Sequence, residues 1–208
     1  MSQASDTPAS SPSRAEGADL GRHLVVISGP SGAGKTTICR AVAERLALPI
    51  STSATTRPKR RGETDGQDYY FLTEQEFRAR VDRGRFVEWA EVFGHLYGTP
   101  VEEVERARES GNLLLLEIDV QGGIQIKRKY PGALAVLLLS PDPGVLRERL
   151  AGRGTDSAEE MQRRLEKAAE EVRTARQAGC YDVEVVNDRL EEAVRHVVEW
   201  IQTRRNQA

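Results

Sequence analysis

The chain has 208 residues, 38% of them apolar, with 30 basic against 32 acidic side chains. That is enough for one well-buried domain with smaller excursions from it. A net charge of −2 lacks the basic surplus of a general nucleic-acid binder, and no apolar run has the length of a membrane-spanning helix. Cys39 and Cys180 form neither a disulfide framework nor a Cys-x-x-Cys pair, and the three histidines stand singly. A zinc site is therefore not indicated, and a reducing, cytoplasmic setting is expected.

Residues 1–21 are rich in Ser, Ala, Pro and Asp without an apolar centre, which predicts a solvated tail and not a secretory signal. Next comes a β-branched run, His23–Ser28, read as a strand, and then Gly29-Pro30-Ser31-Gly32-Ala33-Gly34-Lys35-Thr36-Thr37. The first eight of these match G-x-x-x-x-G-K-[ST] in full. Glycines at these places let successive N–H groups turn inward as an anion nest, and a helix predicted from Lys35 to about Leu46 adds its positive end. Lys35 can reach the β- and γ-phosphates of a nucleotide, and the Thr36 hydroxyl can ligate Mg²⁺. The competing reading is a Gly-rich turn that matches by chance. The strand before the loop and the helix after it are the context the motif requires.

Ser51–Gly98 breaks the rhythm: short alternating runs (Tyr69–Phe71, Phe86–Val92) surround one helix that starts near Thr73. It reads as a small mixed α/β insertion. Arg57-Pro58-Lys59-Arg60-Arg61 puts four cations within five residues, and paired arginines are suited to holding a phosphate. Tyrosine hydroxyls nearby could add neutral donors, and a carboxylate could accept two N–H bonds from a base with adjacent donors. A solvated basic loop is the alternative. Tyr69 and Tyr70 are adjacent and, in a strand, point to opposite faces, so one of them belongs to the core. Trp89 reads as packing.

Thr99, before Pro100 and Glu102, is a candidate helix N-cap with capping-box spacing, a role compatible with ligand binding. Helices are predicted over Pro100–Glu109, Gln121–Lys129, twice between Asp142 and Ala178, and over Arg189–Thr203. Strands are predicted over Leu113–Ile118, Ala135–Leu139 and Val183–Val186. Strands alternating with helices imply an α/β fold with a parallel sheet covered on both faces. The first of these later strands ends in Glu117-Ile118-Asp119, where a phosphate-loop protein often keeps an acid for Mg²⁺, although a strand simply emerging into solvent would look the same. Pro141–Arg173 is poor in apolar residues and dense in Arg and Glu, as a helical hairpin or a lid would be.

Five blocks in one order, "SGPSGAGKTT", "STSATTRPKRRGETDGQDYYF", "FVEWAEVFGHLYGTP", "LLLEIDVQGG" and "RLAGRGTDS", resemble guanylate kinase, a P-loop nucleoside monophosphate kinase, over Leu24 to Arg204. The resemblance implies transfer of the γ-phosphoryl of Mg·ATP to GMP, and to dGMP. By the same resemblance, Arg57, Arg60, Tyr69 and Tyr97 would hold the GMP phosphate, and Ser53, Glu88 and Thr99 would face guanine, with Asp119 nearby as a substrate or Mg²⁺ ligand. Arg149, Arg153 and Arg164 would fold over the phosphates with Lys35, and Asn187 would lie near adenine. Guanine offers N1–H and N2–H₂ side by side, which one carboxylate can bridge; adenine lacks both donors. The sequence departs from the family pattern at Lys59, Arg61, Gly94–Leu96 and Glu117, leaving every expected ligand in place but the metal role of Glu117 open.

The implied organisation is a tail over 1–21 and one unit over 22–208. Within the unit lie an ATP-binding core (22–50, 99–140, 174–205), a GMP-binding insertion (51–98) and a lid (141–173). Two other readings remain at this level. A non-catalytic peptide-binding scaffold of the same shape would have a degraded phosphate loop, and a kinase of another small phosphorylated acceptor would lack the guanine contacts. No nucleic-acid or membrane partner is expected.

Overall fold

The computed structural model describes residues 20–151 and 158–205. The expected tail lies outside them, apart from Leu20 and Gly21. Those two belong to the fold: Leu20 packs on the core, and a Cβ on Gly21 would meet the Ala133 backbone at 2.8 Å.

The core sheet has strands β1 (Leu24–Ser28), β6 (Leu114–Ile118), β7 (Leu134–Leu139) and β8 (Val183–Val186), all parallel, in the order β6-β1-β7-β8. Their near-continuous apolar runs follow from burial on both faces. On one face Val25, Ile27, Val136 and Leu138 pack on Ile38 and Val42 of α1 (Lys35–Leu46) and on Val194, Val197 and Ile201 of α7 (Leu190–Arg205). On the other, Leu24, Val26 and Leu116 meet Val104 of α3 (Val101–Ser110) and Ile126 of α4 (Val120–Lys129). The mixed α/β architecture with a parallel sheet is the one expected.

Residues 49–51 run along the outer edge of β6, where Leu115 N–H donates to Pro49 and Ser51 N–H donates to the Leu115 carbonyl. The chain then crosses to a second sheet, ordered β3-β2-β5-β4, with β2 (Ala54–Thr55), β3 (Tyr70–Phe71), β4 (Phe86–Val92) and β5 (His95–Pro100). Helix α2 (Glu74–Asp82) starts at Thr73, whose hydroxyl accepts from Glu76 N–H while Glu76 accepts from Thr73 N–H, a complete capping box. This layer has its own small core, in which Phe77 of α2 stacks on Phe86 with ring centroids 4.4 Å apart. Tyr70 packs into that core and Tyr69 lines the cleft between the sheets.

Helices α5 (Pro143–Ala151) and α6 (Ala158–Ala178) form the expected pair, but α6 runs unbroken through residue 173. Leu165 and Ala168 of α6 pack on Leu146 and Leu150, whereas Ala175 packs on Val120, Ile124 and Leu137 of the core. One helix thus serves both regions, because its apolar stripe continues past the expected boundary.

Candidate active site

Both sheets face one cleft of about 820 Å³. On the core side, β1 ends at Ser28 and the chain turns through Gly29–Gly34 into α1. Gly34 is the N-cap, with φ 92° and no side-chain cap, so the first N–H groups of α1 remain available to an anion. A Cβ on Gly34 would lie 2.4 Å from Asn187 Nδ2. Asn187 is buried and donates that amide to the Ala33 carbonyl at 2.9 Å, so its side chain shapes the loop from beneath. Lys35 donates to the Gly29 and Pro30 carbonyls at 2.7 and 3.0 Å. Burial pushes its ammonium below the usual lysine range, and Glu117, Glu171 and Asp119 act in the opposite direction.

Thr36 Oγ1 donates to Glu117 Oε1 at the mouth of the loop. Asp119 caps α4 by accepting from Gly122 N–H at 2.8 Å, and its other oxygen, Oδ2, is buried without a hydrogen-bond partner among the described residues. Thr36, Glu117 and Asp119 line the same cleft, and hydroxyl and carboxylate oxygens are the donors that a hard cation such as Mg²⁺ takes.

Across the cleft, Arg57 lies with its guanidinium 5.4 Å from the centre of the Tyr69 ring, and the Tyr69 and Tyr97 rings are 6.0 Å apart. Glu63 grips Arg57 through both terminal nitrogens, at 3.1 and 2.6 Å, and also accepts the Arg60 N–H at 2.7 Å. The Glu63 bonds raise the Arg57 pKa, and the Arg57 bond is the leading cause of a depressed Glu63 pKa. Ser53 and Arg60 also line this side.

Glu88, on β4, is buried and lines the cleft. Its Oε1 accepts from Thr99 N–H at 2.9 Å and from Thr99 Oγ1 at 2.7 Å. Burial raises its pKa to about 7, against the Thr99 hydrogen bonds that stabilise the anion. Thr99 therefore stands behind Glu88. It is not the N-cap of α3, which is Pro100 without a side-chain bond, because the hydroxyl is committed to the carboxylate.

The lid cations take different positions. Arg164, on α6, lines the cleft. Arg149 donates to the Asn187 carbonyl at 2.8 Å, and its Nη1 is buried without a partner among the described residues. Arg153 lies outside the described residues. The sequence reading missed three groups. Glu171, on α6, lines the cleft near Lys35, and burial raises its pKa. Glu63 holds Arg57, and Ser51 Oγ is buried at the cleft with no partner. The spacing of Glu63 after the basic run was the available signal; nothing local marks the other two. Trp89, expected to pack, is 39% exposed, because the outer face of β4 is uncovered there.

An anion cradle on one sheet and a second cationic pocket on the other, opening on one space, define a P-loop phosphotransferase that holds donor and acceptor face to face. The family model for guanylate kinase matches residues 21–204. A guanylate kinase of Thermus thermophilus is 51% identical over 171 residues, covering 82% of this chain and 76% of that protein. One of Thermotoga maritima is 46% identical over 183 residues, covering 88% and 87%. The crystal structure of a guanylate kinase from Anaplasma phagocytophilum superposes with a TM-score of 0.71 at 30% identity, covering 86% of this chain and 84% of that one. The chain belongs to the guanylate kinase family.

Proposed function

We propose that this chain transfers the γ-phosphoryl group of ATP to GMP, and to dGMP, with release of ADP and the corresponding diphosphate. The observation that carries the assignment of the acceptor is Glu88: a buried carboxylate, held by Thr99, lining the same cleft as the phosphate loop. Such a group is costly to bury unless a ligand supplies paired donors, and guanine does so through N1–H and N2–H₂.

The donor phosphates sit against Gly29–Thr37, with the N–H groups of the loop and of the first turn of α1 directed at them. Lys35 exchanges the Gly29 and Pro30 carbonyls for phosphate oxygens. Asn187 keeps the loop in shape from below and thereby supports the donor site. Arg57, Arg60, Tyr69 and Tyr97 hold the acceptor phosphate, which displaces Glu63 from part of the Arg57 fork. Ser53 completes the guanine side. Arg164, together with Arg149, whose buried Nη1 awaits an acceptor, and Arg153, neutralises charge on the group in transit. Thr36 would hold Mg²⁺ together with the nucleotide phosphates, and Asp119, with Glu117 behind Thr36, would complete its surroundings. When bound, the ion would supply charge neutralisation to the nucleotide phosphates. The transfer is direct, because donor and acceptor phosphates are held in one cleft facing each other.

Functionally, the chain divides into an ATP-binding core, a GMP-binding layer (51–98) and a lid (141–173, continued by α6). No helix among the described residues is long and apolar enough to cross a membrane, and the reading calls for no nucleic-acid partner.

The test is ADP formation from Mg·ATP with GMP, dGMP, AMP, CMP, UMP or no acceptor. Turnover confined to GMP and dGMP is expected. Turnover with another acceptor, or none with GMP, would overturn the assignment.

A further inference from the structure

Strands β4 and β5 are joined by a two-residue turn. Val92 pairs with His95, and the intervening Phe93 and Gly94 have φ 51° and 76°. Positive φ at both central positions is the mark of a type I′ turn, which favours Asn, Asp or Gly at the first of them. A bulky aromatic there is strained, and this one is also 47% exposed. Neither turn chemistry nor burial in the small core accounts for the ring.

Its neighbours do. The ring stands against the long helix α6, with Lys167 Nζ 4.3 Å and Arg164 Cζ 5.5 Å from its centroid. Both distances lie within reach of a cation–π attraction. Residues 164 and 167 are three apart and so share one helix face. The hairpin that carries Phe93 also carries Glu88 on β4 and Tyr97 and Thr99 on β5, so the ring is fixed to the acceptor-binding side. Phe93, Arg164 and Glu171 line the cleft together.

We propose that Phe93 is a positioning residue: it seats the cationic face of α6, and with it Arg164, over the cleft in place for transfer. This rests on the reading of Arg164 as a ligand of the transferring phosphoryl group. Phe93 offers no hydrogen-bonding group to either nucleotide. Its removal therefore lowers the occupancy of the transfer-ready arrangement and leaves ground-state binding of GMP nearly intact.

The experiment uses Phe93→Asn in the full chain, with Phe93→Trp, Lys167→Ala, Arg164→Ala and the Phe93→Asn/Lys167→Ala pair. Asparagine suits the turn better than phenylalanine, so the melting temperature should stay level or rise. We expect kcat to fall roughly five- to thirtyfold, the sum of two cation–π contacts. KM for GMP should stay within about threefold. Tryptophan should restore kcat, and Lys167→Ala should cost nothing further in the Phe93→Asn background, because its partner is already gone. Should Phe93→Asn fail to fold, Phe93→Leu, which keeps the native turn strain and lacks the ring, reads the same loss. Wild-type kcat in these ring-less variants, with Arg164→Ala impaired, overturns the seat and leaves the reading of Arg164 standing. Wild-type kcat in Arg164→Ala overturns both.

Discussion

Glu88→Gln tests the guanine reading most directly, because the structure dictates which way the new amide must point. Oε1 of Glu88 receives two donors, Thr99 N–H and Thr99 Oγ1, at 2.9 and 2.7 Å. A backbone N–H cannot become an acceptor, so the amide oxygen stays there and Nε2 takes the position of Oε2. Two N–H donors then meet the donors of guanine. The loss is one or two charge-assisted hydrogen bonds, each about 1.5–3 kcal/mol. A total of about 3–4 kcal/mol corresponds to roughly 150-fold to a thousandfold in affinity. Burial raises the Glu88 pKa to about 7, so the contrast is best read at pH 8, where ionisation of the carboxyl is favoured. Calorimetric titration with GMP and, separately, with an ATP analogue measures both sites on the same protein. A loss confined to GMP is expected, with the ATP site within about twofold. Equal losses, or GMP affinity within threefold of the native protein, would refute the argument.

The same carboxylate predicts two pH effects. GMP should bind more tightly as pH rises through about 7, where Glu88 becomes ionised, and Thr99→Val, which removes one stabilising hydrogen bond to the anion, should move that midpoint upward in a pH series of GMP titrations. Because the folded pKa lies above the unfolded value, the folded state binds the Glu88 proton more tightly. Its contribution to stability is present below pH 4.5 and declines between pH 4.5 and about 7; Glu88→Gln should flatten that part of the denaturant-measured stability profile. Lys35→Ala should lower kcat by at least about a thousandfold while the protein stays folded, since Lys35 is half-buried at the cleft and not in the core; near-normal turnover would contradict its role. Gly34→Ala meets both a φ of 92° and Asn187 Nδ2 at 2.4 Å. It should lose ATP binding and destabilise the protein by about 1–3 kcal/mol in urea titration.

What the sequence determined by itself is local. The glycines and Lys35 specify their loop through backbone angles and spacing. The apolar runs at 23–28, 113–118 and 135–139 announce buried strands, and a helix start is legible near Thr73. The order of the blocks also made Arg57, Tyr69, Glu88 and Tyr97 legible as candidate ligands, although they lie far apart along the chain. Only the tertiary structure decided that Thr99, read from the sequence as a helix cap that could also face guanine, spends its hydroxyl on the Glu88 carboxylate, since the nearby buried charge gains more from it than the helix end does. It also decided that Asn187 lies under the phosphate loop, that α6 spans lid and core, and that Glu171 faces the cleft. The seat of Arg164 and Lys167 on Phe93 is of the same kind. A contact across 71 or 74 residues leaves no periodicity for a sequence to display, and a strained turn residue becomes visible only when its backbone angle is known.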